Sequence, residues 1–150
     1  MRPTALILAA ALALAGCRQA SQPEQPVVEN AWVRLPAAPG RPAAGYFTLR
    51  GGPAGTTLTG ISSPQVQRAE LHDSMMSGGM MHMAPLGPVA VPAGGTLEFK
   101  PGGKHAMLYG VDAGARPGAA IELILTLQPS AQIRAQARVV GPADPAPTNG

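Results

Sequence analysis

The sequence predicts an all-β fold, an antiparallel sandwich or barrel with little helix. Three observations predict it. With 19 glycines and 17 prolines in 150 residues, the chain is interrupted too often for long helices. Short apolar alternations fill the gaps, with turn signals about every eight to twelve residues. Past the N-terminal leader, no window of about eleven residues keeps a clean helical period.

The segments follow in order. Ala31-Trp32-Val33-Arg34-Leu35 and Gly45-Tyr46-Phe47-Thr48-Leu49 mix aromatic and aliphatic residues with polar ones, as strands do. Thr56 to Ile61 (TTLTGI) is rich in β-branched residues, and Val66 to Leu71 (VQRAEL) alternates up to His72. Met80 to Met83 returns after the glycine pair Gly78-Gly79. Val89 to Val91 and Thr96 to Phe99 are short and separated by Pro92-Ala93-Gly94-Gly95. His105 to Val111, Ala120 to Leu127 (AIELILTL) and Gln132 to Val140 (QIRAQARVV) complete the set. No internal repeat of about 20 to 50 residues is visible.

The N-terminus reads as export. Met1-Arg2-Pro3 precedes an apolar run from Ala5 to Ala15, too short to span a bilayer, which ends in Leu14-Ala15-Gly16-Cys17. Leu-Ala-Gly-Cys resembles the bacterial lipobox; the alternative is an ordinary signal peptide with a chance cysteine. The expected organisation is a lipoprotein signal peptide over 1–16 and a polar tether over 17–26 from a lipidated Cys17. A folded domain follows over 27–140, then a flexible tail over 141–150. That places the protein on the periplasmic face of a bacterial membrane. Arg18 after the cysteine leans toward the outer membrane. Acyl chains contribute about 0.8 kcal/mol per buried methylene, enough for several to anchor stably. Lipidation also uses the only cysteine, leaving no disulfide and no thiolate ligand or nucleophile.

Net charge is +3 with a pI near 9.6, but few charges of either sign produce it. With no clustered basic patch and no aromatic platform, nucleic-acid binding is a poor fit.

The donor residues are segregated. His72, His82 and His105 are the only histidines, and beyond Met1 the methionines are Met75, Met76, Met80, Met81, Met83 and Met107. All lie between His72 and Met107. Methionines used to fill a core would be spread over all the strands. Thioethers are soft donors that select Cu(I), and imidazole suits several metals. Such a set without cysteine or a carboxylate cluster favours Cu(I) over zinc, calcium or magnesium. Asp73 falls on the opposite strand face from His72 and reads as a solvated turn residue. Taken singly, Met75, Met76 or Met80 would read as core, and His82 as a surface histidine.

Strand alternation puts His105 and Met107 on one face, continued by Tyr109, with Ala106 and Leu108 on the other. A hairpin-like loop through Gly78-Gly79 would bring His72 and Met83 beside that strand.

The spacing His72-x10-Met83-x21-His105-x-Met107 resembles the signature of the periplasmic PCu(A)C copper chaperone family. Asn30-Ala31-Trp32-Val33-Arg34, Ala44-Gly45-Tyr46-Phe47-Thr48-Leu49, Glu70-Leu71-His72, Val91-Pro92-Ala93-Gly94-Gly95 and Lys100-Pro101-Gly102-Gly103-Lys104-His105 agree with it. The similarity runs from about Val27 to Val140. It implies a cupredoxin-like β-sandwich or Greek-key barrel, with His72, Met83, His105 and Met107 as Cu(I) ligands. It implies delivery of copper toward the CuA centre of cytochrome c oxidase, or to a thiol-bearing copper chaperone. Two departures stand out. His82 occupies a position usually basic in the family and becomes a possible fifth donor, and the tail has no His/Met-rich extension for a second Cu(II) site. Cu(II) binding at the main site is left open.

Function is therefore expected to be copper carriage by a monomer that exchanges soft neutral ligands with an anionic thiolate acceptor. Blue-copper electron transfer lacks its cysteine. Catalysis lacks a general base or nucleophile set, because Asp and Glu are few and not gathered near the histidines. A lipid-anchored interaction protein, with the Met75–Met81 loop as its apolar contact, is the alternative.

Overall fold

The structure is a computed structural model that describes residues 23–129 and 131–148. The expected signal peptide, Cys17 and the start of the tether lie outside the described residues. Ten strands follow one another: β1 Val27–Arg34, β2 Ala43–Arg50, β3 Thr56–Ser62, β4 Val66–Ser77, β5 Met80–Pro85, β6 Val89–Val91, β7 Thr96–Phe99, β8 His105–Val111, β9 Ala120–Gln128 and β10 Ala131–Val140. No helix is present among the described residues.

The strands form one sheet in the order β5-β4-β8-β2-β1-β10-β9-β3-β6, with β7 paired to β2 off that path. The sheet is not closed: β5 and β6 are its ends. β7 and β8 share one side of β2, β7 beside Phe47 to Arg50 and β8 beside Ala43 to Gly45. Inward side chains from both halves meet in one core that includes Phe47, Leu49, Leu58, Leu71, Phe99, Ala106, Leu108, Val33 and Val139. The sheet thus folds over on itself as the two layers of a sandwich.

Alternation explains the individual strands. In β9, Ile121, Leu123, Leu125 and Leu127 point inward and are almost wholly buried. Burial of each stabilises the fold by roughly 1.5–3 kcal/mol. Phe47 and Phe99 face each other across β2 and β7 with ring centroids 4.3 Å apart.

The antiparallel expectation needs one amendment. β1 and β10 run parallel, with Trp32 beside Arg138 and Arg34 beside Val140. The first and last strands are joined by no turn, so no local signal constrains their relative direction. β4 also extends six residues past the predicted end at Leu71, because its last part pairs with β5 from His72–Pro85 to Ser77–Met80. The expected Met75–Met81 loop is therefore a tight hairpin. Gly78 and Gly79 form its two-residue turn, with φ of 59° and 77°. A turn with both central residues at positive φ matches the twist of the flanking strands and suits glycine.

Just past β10, the Gly141 N–H donates to the Asp144 carboxylate at 2.6 Å, and Arg34 donates to the Asp144 carbonyl at 3.0 Å.

Candidate metal centre

The inward set Leu71, Ala106 and Leu108 fixes the other face of β4 and β8. On that face His72 stands directly opposite His105, and Glu70 opposite Met107. Met107 is also beside Ala44 of β2. Across β4, Met83 of β5 pairs with Ser74, two residues beyond His72 and on its face. Four sequence-predicted donors, His72, Met83, His105 and Met107, thus share one face over three adjacent strands.

The two imidazoles are the fixed part. Their ring centroids are 6.1 Å apart. His105 is 6% exposed, and its Nδ1 lies 2.8 Å from the Gly103 carbonyl. A carbonyl only accepts, so Nδ1–H donates and Nε2 keeps the lone pair. His72 Nε2 lies 3.1 Å from a Glu70 carboxylate oxygen. An ionised carboxylate also only accepts, which leaves the lone pair on His72 Nδ1. His72 Nδ1 and His105 Nε2 are both buried and have no hydrogen-bond partner. Buried polar atoms are nearly always paired, so two bare lone pairs on facing rings call for an explanation.

The support beneath each ring is traceable. Gly103 sits in the turn Lys100 to Lys104, closed by Gly103 N–H to the Lys100 carbonyl at 3.1 Å and Lys100 N–H to the Lys104 carbonyl at 2.8 Å. The same Gly103 carbonyl accepts from Ser74 N–H of β4 at 3.3 Å, and Lys104 pairs with Asp73 at 3.2 Å. The turn that orients His105 is thereby tied to the strand that carries His72. Asp73 is on the opposite face from His72, as alternation predicted, but in a strand and ion-paired instead of in a solvated turn.

On the other side Glu70 anchors His72. Arg68 Nε lies 3.3 Å from Glu70, and its guanidinium stacks over the Tyr109 ring at 4.2 Å. The hydrogen bond from His72, with help from the charge of Arg68 and a hydrogen bond from Tyr109, holds the Glu70 carboxyl below its ordinary range despite some desolvation. Glu70 is a single carboxylate beside His72, a partner that the sequence reading did not single out. Its signal was present in the sequence: a residue two before His72 on a strand must share its face.

The remaining donors divide by face. Met76 and Met81 pair with each other on the face of Met83, while Met75 and His82 pair on the opposite face. His82 is exposed and is not brought to the His72–His105 pair. Met75, Met76, Met80, Met81 and Met83 are all more than half exposed. Among the described residues no three His, Cys, Asp or Glu side chains converge, so a metal held here would draw on thioethers.

Comparison with known proteins shows the family and the fold. The family model described as "Putative lipoprotein LpqE-like" matches residues 27–139. The chain belongs to this LpqE-like family. The "Putative lipoprotein Lxx21020" of Leifsonia xyli subsp. xyli is 33% identical over 101 residues, covering 65% of this chain. The match spans about three fifths (59%) of that curated relative. Among solved structures, the copper-bound PCuAC domain from PmoF2 superposes with a TM-score of 0.64 at 19% identity, covering 79% of this chain and 94% of the domain. The Cu(I) form of DR1885 from Deinococcus radiodurans does so with a TM-score of 0.58 at 26% identity, covering 81% of both chains. Apo-DR1885 is 25% identical over 94% of this chain and 95% of its own, with a TM-score of 0.59. The PCu(A)C resemblance and the cupredoxin-like fold that it implies are both borne out.

Proposed function

We propose that this LpqE-like protein is an extracytoplasmic copper carrier that binds one Cu(I) through His72, Met83, His105 and Met107. The observation that carries the proposal is the pair of buried, unpartnered lone pairs on His72 Nδ1 and His105 Nε2, each on a ring whose other nitrogen is held. Holding the far nitrogen with a carboxylate or a carbonyl is how proteins fix a ligating imidazole and raise its basicity. The copper-bound relatives of the same fold support the choice of metal.

Copper is cargo in this reading, so release matters as much as binding. Two imidazoles and two thioethers are neutral, and the Glu70 carboxylate beside His72 partly offsets the charge of the ion. A thiolate acceptor is both softer and anionic, and would replace the thioethers first, since Met83 and Met107 are less buried than His105. Acceptors of that kind are the CuA-bearing subunit of cytochrome c oxidase and a thiol-bearing assembly partner. The lipobox supports anchoring through Cys17 on the periplasmic face of a bacterial membrane, consistent with the lipoprotein family. A carrier needs no general base or nucleophile, so the reading is non-enzymatic.

The five exposed methionines of the hairpin favour one second reading, an apolar contact surface for a partner protein. A titration of the purified protein with Cu(I) against a chromophoric competitor separates the two. Copper carriage predicts tight one-to-one binding that is lost in His105→Ala and weakened in Met107→Ala. Unchanged affinity in both variants, or binding no tighter than about micromolar, would remove the assigned site.

A further inference from the structure

β8 begins at His105, opposite His72, so beyond Ser74, whose N–H still reaches the Gly103 carbonyl, β4 pairs only with β5. The end of the β4–β5 hairpin therefore stands as a two-stranded arm beyond the rest of the sheet, with a donor set on each face. One face carries Met76, Met81 and Met83 and continues into the site described above. The other carries Met75 opposite His82, with Met80 two residues before His82 on the same strand.

We infer that Met75, Met80 and His82 form a second binding site for a soft monovalent d10 cation, Cu(I) or Ag(I). Directly opposed residues have Cβ atoms about 4.5–5.5 Å apart, within reach of one shared ion. Met80 lies one pleat away, and a methionine side chain has three rotatable bonds with which to bring its sulfur to that ion. Two thioethers and one imidazole suit a soft monovalent ion and fit a hard cation poorly. Asp73, the nearest carboxylate on this face, is already paired with Lys104. Met75 and Met80 are 56% and 63% exposed, which no core role explains. Two methionine side chains left in water on one face of a hairpin end would be a liability without a ligand or a partner.

The two sites share no donor. The second stands whether or not the His72–His105 pair holds copper. Its ligands lack the held rings of the first site and must be ordered on binding, so it should bind more weakly and exchange faster. That suits a point of entry or exit on the hairpin, one strand-thickness from the main site.

The test is a titration of the full-length protein in detergent micelles with Ag(I), a redox-inert stand-in for Cu(I). Methionine methyl and histidine ring signals are followed by NMR. The expected result is two equivalents, the second bound about tenfold or more weakly. The first should shift His72 and His105, and the second Met75, Met80 and His82. The triple variant M75L/M80L/H82Q keeps an apolar surface but removes the donors, and should lose only the second equivalent. A partner-docking role alone predicts no second equivalent in the unsubstituted protein. Saturation at one equivalent overturns the inference. So does a triple variant that still takes two, or a His82 signal that moves with the first.

Discussion

At the base of the β4–β5 arm, each imidazole has one nitrogen held, His72 by Glu70 and His105 by the Gly103 carbonyl, and the free nitrogens are buried. At the tip of the same arm, Met75, Met76, Met80 and Met81 are more than half exposed and rest on no inward partner. Both regions belong to one hairpin and one run of sequence, so the difference is not composition. It is the presence of a third strand. β8 runs beside β4 only as far as His72, and there it supplies a facing ring, a carbonyl and a wall. Past Ser74, the last residue tied to the Gly103 turn, β4 and β5 pair only with each other. The base holds its two rings in one arrangement, while the tip leaves its thioethers exposed.

Substitutions should separate the two regions, from the strongest effect to the weakest. His105→Ala removes a proposed ligand and is expected to lower Cu(I) affinity more than about a hundredfold, beyond the cost of losing an outer partner. Competition with a chelator measures it, with thermal unfolding to show that the fold persists. Glu70→Ala removes only the group that orients His72 and should cost about ten- to a hundredfold, while Glu70→Gln, whose amide oxygen still accepts, should recover part of it. Equal losses in both Glu70 variants would mean that charge, and not orientation, is what Glu70 contributes.

Gly78→Val tests whether the turn sets Met83. No atom lies within 4 Å of a Cβ at that position, so only the positive φ opposes the substitution. Left-handed backbone costs a non-glycine residue about 1–2 kcal/mol. Copper affinity should fall by about tenfold or less, and amide exchange in β5 should quicken.

Two acids should shape the pH dependence of stability, with opposite signs. The folded pKa of Glu70 lies below its unfolded value, ordinarily about 4.3. Its contribution is therefore present above that value and is lost as pH falls through the lowered folded one. Burial raises the pKa of Tyr46 against a smaller opposing effect of Arg34. Its contribution is present below about 10 and is lost as pH rises through the raised value. Thermal unfolding across pH should show the acid limb flatten in Glu70→Ala and the alkaline limb flatten in Tyr46→Phe. Both effects are small, because Glu70 is solvent-facing and Tyr46 is one ring of a small cluster with Trp32 and Val140. The weakest effect belongs to the tip. Met76→Leu with Met81→Leu should change stability by no more than about 0.5 kcal/mol and one-equivalent copper affinity hardly at all.

Much of this was legible in the sequence, for identifiable reasons. Alternation in AIELILTL gave β9, and the same period put His105 and Met107 on one face. Family spacing added His72 and Met83, but only the β4–β8 register sets His72 opposite His105, a pairing across 33 positions that no local pattern encodes. The Gly103 carbonyl was invisible because it is a backbone atom placed by a turn. Glu70 was legible too, two residues before His72 and so on its face, but a single carboxylate on a strand is a common surface residue and carries little signal. The extension of β4 to Ser77 was hidden for a different reason: a strand exposed on both faces has no apolar alternation to reveal it. The parallel pairing of β1 with β10 had no signal at all.

The central claim is that one Cu(I) is held by two imidazoles and two thioethers on the face shared by β4, β5 and β8. X-ray absorption at the copper edge, on protein loaded with one equivalent of Cu(I), tests it most directly. The predicted first shell has two nitrogen and two sulfur scatterers, losing one sulfur in Met107→Leu and one nitrogen in His105→Ala. A shell without sulfur, or one unchanged by either substitution, would contradict it.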